Sequence, residues 1–415
     1  MKKVVVLNMY GMKNIGDAAI CTVALKAIDE YLNGKGLIYT TFIDQKENLK
    51  NYNVKSKLTN IDAPYSTAIA SKDKPVSSIN KIVRFLGIFI TSLFLAQLNG
   101  RHLIDLRKNK TYRYIQELRD ADVVVSMGGG YIRTKSKFKD YFGLFLTLLP
   151  IYLAKSYKKP ILFLPMSFGN FATRLHEKIA IHVLIGTTVM CRDKISLKRI
   201  KDLDKNKKIN AFFSPDLALS IENPIPKNNK AIGDNYIVLT AREWMSSHKQ
   251  KRYEKELAEL VTALWHKLKT YFIPMATNKA EDDDHRVAYR IKEQLEHAQS
   301  FHIVSVKSLP EIQRLLTNAK FSICTRMHSA ILSFTTKTPF ITIGYESKTK
   351  GLMQFLNLEK WHNEIEDVRA YHLLAHVNDL LKANTYKDYI ATIESKKITI
   401  SDYHGKIINS IRQLT

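Results

Sequence analysis

One order recurs along this chain: a short continuous apolar run, then a glycine-bearing or polar loop, then a stretch with helical periodicity. The pattern starts at once. Met1-Lys2-Lys3 runs straight into Val4-Val5-Val6-Leu7, and Val4 to Met9 reads as a strand buried on both faces. Gly11 to Gly16 is a loop, and Asp17 to Tyr31 carries Ala18, Cys21, Leu25 and Ile28 at helical spacing. Strand, glycine-containing loop and helix open a Rossmann-type unit. The same sequence of signals returns at Asp122 to Met127, which ends in Gly128-Gly129-Gly130. It returns again at Ile161 to Pro165 after the helical run Tyr141 to Tyr157, and at Val189-Met190-Cys191 before a helix from Ile195 to Leu203. Its length, and its place just before a regular strand, assign the apolar run Phe142 to Ala154 to the core.

A chain of 415 residues exceeds one ordinary domain. The composition changes between Asn223 and Asp234, which hold Pro224, Pro226, Gly233 and several Asn and Lys. Residues 223–235 therefore read as a linker between residues 1–222 and 236–385, with 386–415 as a C-terminal helical segment. Beyond the linker the alternation resumes. Strands are expected at Tyr236 to Thr240, Tyr271 to Met275, Phe301 to Val304, Phe321 to Cys324 and Phe340 to Ile343. Helices are expected at Tyr253 to Leu268 and Asp284 to Ala298. The expected fold is α/β and GT-B-like: two Rossmann-type domains with parallel sheets facing a central cleft. Ligands would meet the C-terminal ends of the strands.

The net charge of +25 attracts polyanions, acidic lipid surfaces or phosphorylated substrates. No RNP-like aromatic set, zinc-finger spacing or basic heptad accompanies it, so no nucleic-acid partner is expected. Cys21, Cys191 and Cys324 are isolated thiols that give neither a disulfide framework nor a metal motif, which suits a reducing compartment. Phe85 to Leu98 breaks the rhythm with an uncharged apolar run flanked by basic residues, within the segment 79–113. A bilayer span needs about twenty residues, so this run is either a core helix or a contact with an anionic membrane surface.

The chemistry-bearing residues gather in two places. Arg326-Met327-His328 and Ile343-Gly344-Tyr345-Glu346-Ser347-Lys348 supply a fixed cation, an imidazole, a carboxylate and an ammonium within one helix and one strand of each other. Asn14-Ile15-Gly16-Asp17 forms a second polar cluster. Such groups can hold a small phosphorylated acid and move a proton on it. Glu281-Asp282-Asp283-Asp284-His285 suits a helix N-terminus better than a metal: consecutive residues cannot all face one ion, so no metal is expected.

Gly11 to Asp17, Gly128-Gly129-Gly130, Arg192-Asp193 with Ser196, Asp216-Leu217-Ala218, Thr240-Ala241-Arg242, Arg326-Met327-His328 and Gly344 to Lys348 follow in that order. The series resembles the polysaccharide pyruvyl transferase family. Lys72 to Arg113 lies outside these motifs, and the approach to Arg242, Leu-Thr-Ala-Arg, departs from the family's more apolar or serine-containing pattern. The resemblance implies transfer of the pyruvate skeleton of phosphoenolpyruvate to two hydroxyls of a sugar, giving a cyclic ketal and phosphate. Phosphoenolpyruvate is then a co-substrate and no cofactor is needed.

The resemblance further implies an acceptor-side first domain, a donor-side second domain and a lipid-linked oligosaccharide acceptor. The protein would be cytoplasmic, peripheral at the inner face of the cytoplasmic membrane. On this reading His328 is the general acid. Arg326, with the N–H groups of a helix start, clamps an anion. Lys348 holds phosphate and Arg242 a carboxylate. Arg192 either adds a charge or pairs with Asp193 to fix a turn. Asp17 is either the base that activates a sugar hydroxyl or a helix N-cap. Asn14 and Gly16 shape the first loop and donate hydrogen bonds to ligand. Gly129 and Gly130 let backbone approach a ligand. Glu346 is a reserve base or the partner of Lys348. Arg133, Lys135, Lys137 and Lys139 either grip a pyrophosphate or form a solvated run. A nucleotide-sugar glycosyltransferase of the same architecture, and a noncatalytic membrane-docked binding protein, are the rival readings.

Overall fold

The computed structural model describes residues 1–11, 14–42, 49–61, 87, 90, 110–135, 139–225, 235–244, 246–278, 282–306 and 308–415. The expected membrane-contacting run 85–98 lies outside the described residues except at 87 and 90, and so do residues 226–234 of the expected linker and Lys137. Among the described residues, no helix is long and apolar enough to cross a membrane.

The chain forms two compact units. The first comprises Met1–Gly11, Ile20–Leu217 and Tyr403–Thr415; the second comprises Met12–Ala19 and Ala218–Asp402. The division departs from the linear split expected from composition. The start of the first helix counts with the second unit, and the end of the last helix, Ala383–Leu414, counts with the first.

In the first unit the strands are β1 (Lys3–Met9), β2 (Leu37–Phe42), β3 (Lys57–Asn60), β4 (Val123–Ser126), β5 (Gly129–Ile132), β6 (Ile161–Phe168), β7 (Thr188–Cys191) and β8 (Asn210–Phe213). Their order is β3-β2-β1-β4-β6-β7-β8, with β5 paired to β6. Every one of these pairings is parallel. At the centre Val4, Val5 and Val6 lie opposite Val123, Val124 and Val125, all fully buried. Helices cover both faces of a parallel sheet, so its central strands are continuous apolar runs rather than alternating ones. The helix Lys139–Ser156 buries Leu144, Leu146, Leu148, Leu149 and Ile151 in this core, as its apolar run predicts.

The second unit contains β9 (Tyr236–Thr240), β10 (Lys269–Phe272), the short antiparallel pair β11 (Thr277–Asn278) and β12 (Asp282–Asp283), β13 (Phe301–Ile303), β14 (Ser322–Cys324), β15 (Phe340–Gly344) and β16 (His362–Glu364). Its main sheet runs β13-β10-β9-β14-β15-β16, parallel throughout. This is the doubly wound order 3-2-1-4-5-6, which reverses direction between β9 and β14 and leaves a crevice at the strand ends there.

Two glycines of the first unit separate steric need from tolerance. A Cβ on Gly128 would stand 2.5 Å from the carbonyl oxygen of Pro165 in the neighbouring strand. Gly143 lies in the helix Lys139–Ser156 with open space where its Cβ would be. Gly128→Ala should therefore destabilise the protein by about 1–3 kcal/mol, and Gly143→Ala should stabilise it by about 0.5–1 kcal/mol. Urea denaturation midpoints of the two variants read both signs.

Candidate active site

The polar residues of the second unit collect on the loops that leave the C-terminal ends of β10, β9, β14 and β15. At the end of β14 the chain turns through Thr325 and Arg326 into the helix Met327–Thr335. A buried hydroxyl network fixes this turn. Thr240 at the end of β9 accepts the Thr325 N–H through Oγ1 (3.2 Å) and bonds Ser329 Oγ at 2.9 Å. Ser329 Oγ donates to the Arg326 carbonyl (2.6 Å), and the Tyr253 hydroxyl lies 2.7 Å from Thr325 Oγ1. Burial pushes the Tyr253 phenol well up, so it stays a neutral hydroxyl.

Arg326 is buried and held from the side. Its Nε donates to Asp284 Oδ2 at 2.8 Å and its Nη2 to Asp284 Oδ1 at 2.7 Å. Asp284 Oδ2 also accepts the N–H groups of Met275 and Ala276, each at 3.0 Å. One fork edge of Arg326 is thus taken by a carboxylate of the same unit. The acidic run divides its labour here. Asp283 caps the helix Asp284–Lys292 through the His285 N–H and meets His285 Nδ1 at 2.9 Å, while Asp284 pairs with Arg326.

The loop that Asp284 fastens also receives the start of the chain's first helix. Asn14 bridges Ala276, and the Ile15 N–H donates to the Met275 carbonyl at 3.2 Å. Asn14 caps the helix Ile15–Tyr31: its carbonyl accepts the Ala18 N–H and its Oδ1 accepts the Gly16 N–H at 3.1 Å. Asp17 therefore sits inside the first turn, half-buried, where the helix dipole favours a carboxylate, and the N-cap role falls to Asn14. Gly16 is packed against His328. A Cβ at position 16 would overlap Nδ1 and Cγ of the imidazole and lie 2.7 Å from its Cβ. The motifs at 14–17 and 326–328, far apart in sequence, thus meet in one place.

A second cluster follows β9 and β15. Arg242 donates through Nη1 to the Tyr345 hydroxyl at 2.8 Å, and its guanidinium lies 4.9 Å from the Trp244 ring and 4.7 Å from the Tyr345 ring. Lys348 lies 5.5 Å from the same Tyr345 ring and pairs with Glu346 at 2.7 Å. Two cations thus converge on one phenol. Buried Gln250 holds the Arg242–Trp244 turn, accepting the Trp244 N–H (3.0 Å) and donating to the Arg242 carbonyl (3.2 Å). Trp244 and Asp284 carry no motif signal of their own; the acidic run around Asp284 was the one visible trace.

Other predicted residues belong to the first unit. Arg192 pairs with Asp216 at 2.7 Å, both nearly buried, and its Nε donates to Ser167. The expected alternative, a pair with Asp193, does not form: Asp193 caps the helix Lys194–Leu203 and accepts from Ser167 and Ser196. Gly130 leaves room for the Arg192 guanidinium, 3.1 Å from where its Cβ would be. Gly129 has φ +129, a conformation that strongly favours glycine. Backbone geometry and packing account for these glycines without a ligand.

Two parallel-sheet α/β units with sites at their strand ends make this a GT-B-like protein. Solved structures share that fold at low identity. A UDP-forming α,α-trehalose-phosphate synthase from Burkholderia xenovorans matches with a TM-score of 0.59 at 11% identity, over 100% of this chain and 99% of its own. A UDP-GlcNAc 2-epimerase from Methanocaldococcus jannaschii matches with a TM-score of 0.54 at 15% identity, over 92% and 94%. The chain belongs to the polysaccharide pyruvyl transferase family, whose model matches residues 14–347. The amylovoran biosynthesis protein AmsJ of Erwinia amylovora is 25% identical over 290 residues, covering 65% of this chain and 68% of AmsJ. Membership supports a transferase acting in polysaccharide synthesis.

Two predictions follow the geometry. Gly16→Ala should cost about 1–3 kcal/mol with His328 present and little in a His328→Gly background; a double-mutant cycle on unfolding midpoints measures the coupling. Asp284→Asn leaves a buried guanidinium without its counter-charge and should lose about 3–5 kcal/mol. Denaturant titration tests it, and a loss under 1 kcal/mol would show that the pair is not holding this edge.

Proposed function

We propose that the protein transfers the pyruvate skeleton of phosphoenolpyruvate to two hydroxyls of a sugar, forming a cyclic ketal and releasing phosphate. The observation that carries this reading is the pair of helix starts that follow adjacent strands, with Arg242 and Lys348 converging on Tyr345 at one of them. The helices Met327–Thr335 and Ser347–Leu356 begin after the adjacent strands β14 and β15. Neither is capped by the side chain of its N-cap residue, Arg326 or Glu346. Helix N-termini favour anions, and phosphoenolpyruvate carries a carboxylate and a phosphate.

Arg242 and Lys348 are the cations for the donor. Arg242 is presented on the Tyr345 and Trp244 rings. Lys348 is paired with Glu346 at a position a fifth to a quarter exposed, where an ion pair contributes about 1 kcal/mol and can yield to a better anion. Arg326 is committed to Asp284 and serves to position His328. The His328 imidazole delivers a proton to C3 of the enol, the methylene becomes a methyl group, and positive charge develops at C2. A sugar hydroxyl attacks C2, its proton passing to Asp17. Phosphate then leaves, and the second hydroxyl closes the ketal with loss of its proton.

The acceptor is a sugar of a lipid-linked precursor. The protein works at the inner face of the cytoplasmic membrane, a reading supported by the charge of +25 and by the basic flanks of Phe85 to Leu98.

Incubating the protein with phosphoenolpyruvate and a lipid-linked acceptor should release one phosphate per ketal formed, read by phosphate assay and by the ketal methyl signal. His328→Ala should lower kcat by about 10²–10⁴-fold. Sugar transfer from a nucleotide sugar without consumption of phosphoenolpyruvate would replace this reading with a glycosyltransferase.

A further inference from the structure

A cavity of about 530 Å³ opens in the second unit, lined by Trp244, Ser246, Lys249, Gly344, Tyr345, Glu364, Ile365, Glu366 and Asp367. It lies at the C-terminal ends of β15 and β16 and against the loop after β9. Its volume falls within the range of about 300–1,000 Å³ typical of small-molecule sites. Tyr345 belongs both to its wall and to the contacts of Arg242 and Lys348. The cavity is therefore next to the cations assigned to the donor, with the Tyr345 ring as a shared partition.

Charges in the lining are largely paired at its rim. Glu366 is paired with Lys249 at 3.3 Å, and Glu364 faces Lys350 at 3.7 Å and His362 at 3.4 Å. With Asp367 added, the carboxylates oppose a second phosphorylated acid. A cationic ligand would compete with cations already in place: Lys249 and Lys350 beside Glu366 and Glu364, and Arg242 and Lys348 beside the Trp244 and Tyr345 rings, which lie 4.7 Å apart. Two aromatic rings and Ile365 give apolar surface, while the carboxylates and the Ser246 hydroxyl give hydrogen-bond acceptors. This combination suits a neutral molecule with a C–H face and a rim of hydroxyl donors.

We propose that this cavity, in the second unit and not on the first-domain side where the resemblance put the acceptor, is the acceptor subsite and takes a neutral pyranose ring, which lies on Trp244 and Tyr345 and donates hydroxyl hydrogen bonds to Glu364, Glu366 and Asp367. The role as acceptor subsite rests on the pyruvyl-transfer reading; the binding of a neutral sugar does not. The partition at Tyr345 then sets two ligands of opposite character side by side, an anionic donor on the cation side and a neutral acceptor on the carboxylate side.

Saturation-transfer NMR on the full-length protein tests it, with the methyl glycosides of glucose, galactose and mannose as probes at millimolar concentration. Saturation should reach the ring protons of at least one hexoside and fall at least about five-fold in Trp244→Ala and in the near-isosteric Glu366→Gln, with circular dichroism unchanged in Glu366→Gln. Absence of transfer to all three hexosides, or transfer that persists in a folded Glu366→Gln, overturns the proposal. The two readings fail separately. Hexoside binding without phosphate release from phosphoenolpyruvate keeps the subsite as a sugar site and removes the transfer reaction. Ketal formation with an acceptor KM unchanged in Glu366→Gln keeps the reaction and removes the subsite.

Discussion

Both oxygens of Asp284 accept hydrogen bonds inside the second unit, from Nε and Nη2 on one edge of the Arg326 guanidinium and from the backbone at Met275 and Ala276. That carboxylate ties the loop after β10 to the turn after β14, and the same loop receives Asn14 and Ile15. Charge-assisted, bidentate contacts of this kind are directional as well as strong. In a buried setting their geometry is costly to break from one side. The position of His328 against Gly16 follows from this arrangement: His328 lies in the first turn of a helix whose N-cap, Arg326, is anchored, and Gly16 in the first turn of the facing helix has no Cβ to obstruct it.

Stability and chemistry pull in different directions at the helix starts of this unit. The helices Asp284–Lys292 and Leu309–Asn318 begin with Asp283 and Ser308, whose side chains accept first-turn N–H groups. Those beginning at Met327 and Ser347 have Arg326 and Glu346 at the N-cap, residue types that do this poorly. A side-chain cap is worth about 1 kcal/mol. Forgoing it at two neighbouring strand ends leaves the first turns of both helices without a cap from the N-cap side chain, and helix N-termini favour anions. Local rules are broken where function competes with them.

Much of this could be read from sequence because the relevant signals are local. Continuous valine and isoleucine runs located β1, β4, β6 and β9, since strands buried on both faces lose their alternation. The short strands β2, β3, β8 and β16 escaped: LIYTTF, KLTN, NAFF and HNE hold polar or exposed positions and no periodic run. At the site, the motifs around Asn14, Gly16, Arg326 and His328 were visible, and so was their common purpose. Their partners were not. Arg326 finds Asp284 across 42 residues and Arg192 finds Asp216 across 24, whereas sequence proximity suggested Asp193. Helix capping also hid behind composition, for Asp17 is the better-known cap type, yet Asn14 stands one turn earlier and takes the role.

The cations of the second unit differ in how firmly they are held, and the difference decides which can serve a ligand. Arg326 shares a buried pair with Asp284, and separating them would leave an uncompensated charge costing about 3–5 kcal/mol. Lys348 and Glu346 are 2.7 Å apart but a fifth to a quarter exposed, so water compensates much of what their separation removes. Arg242 lies against the Trp244 and Tyr345 rings and donates to the Tyr345 hydroxyl, contacts that orient its guanidinium. An arriving anion would separate Lys348 from Glu346 at small cost, but would have to break the buried pair beside His328 to take Arg326 from Asp284. On the proposed reading, the cation that positions the acid is thus distinct from the cations that bind the donor.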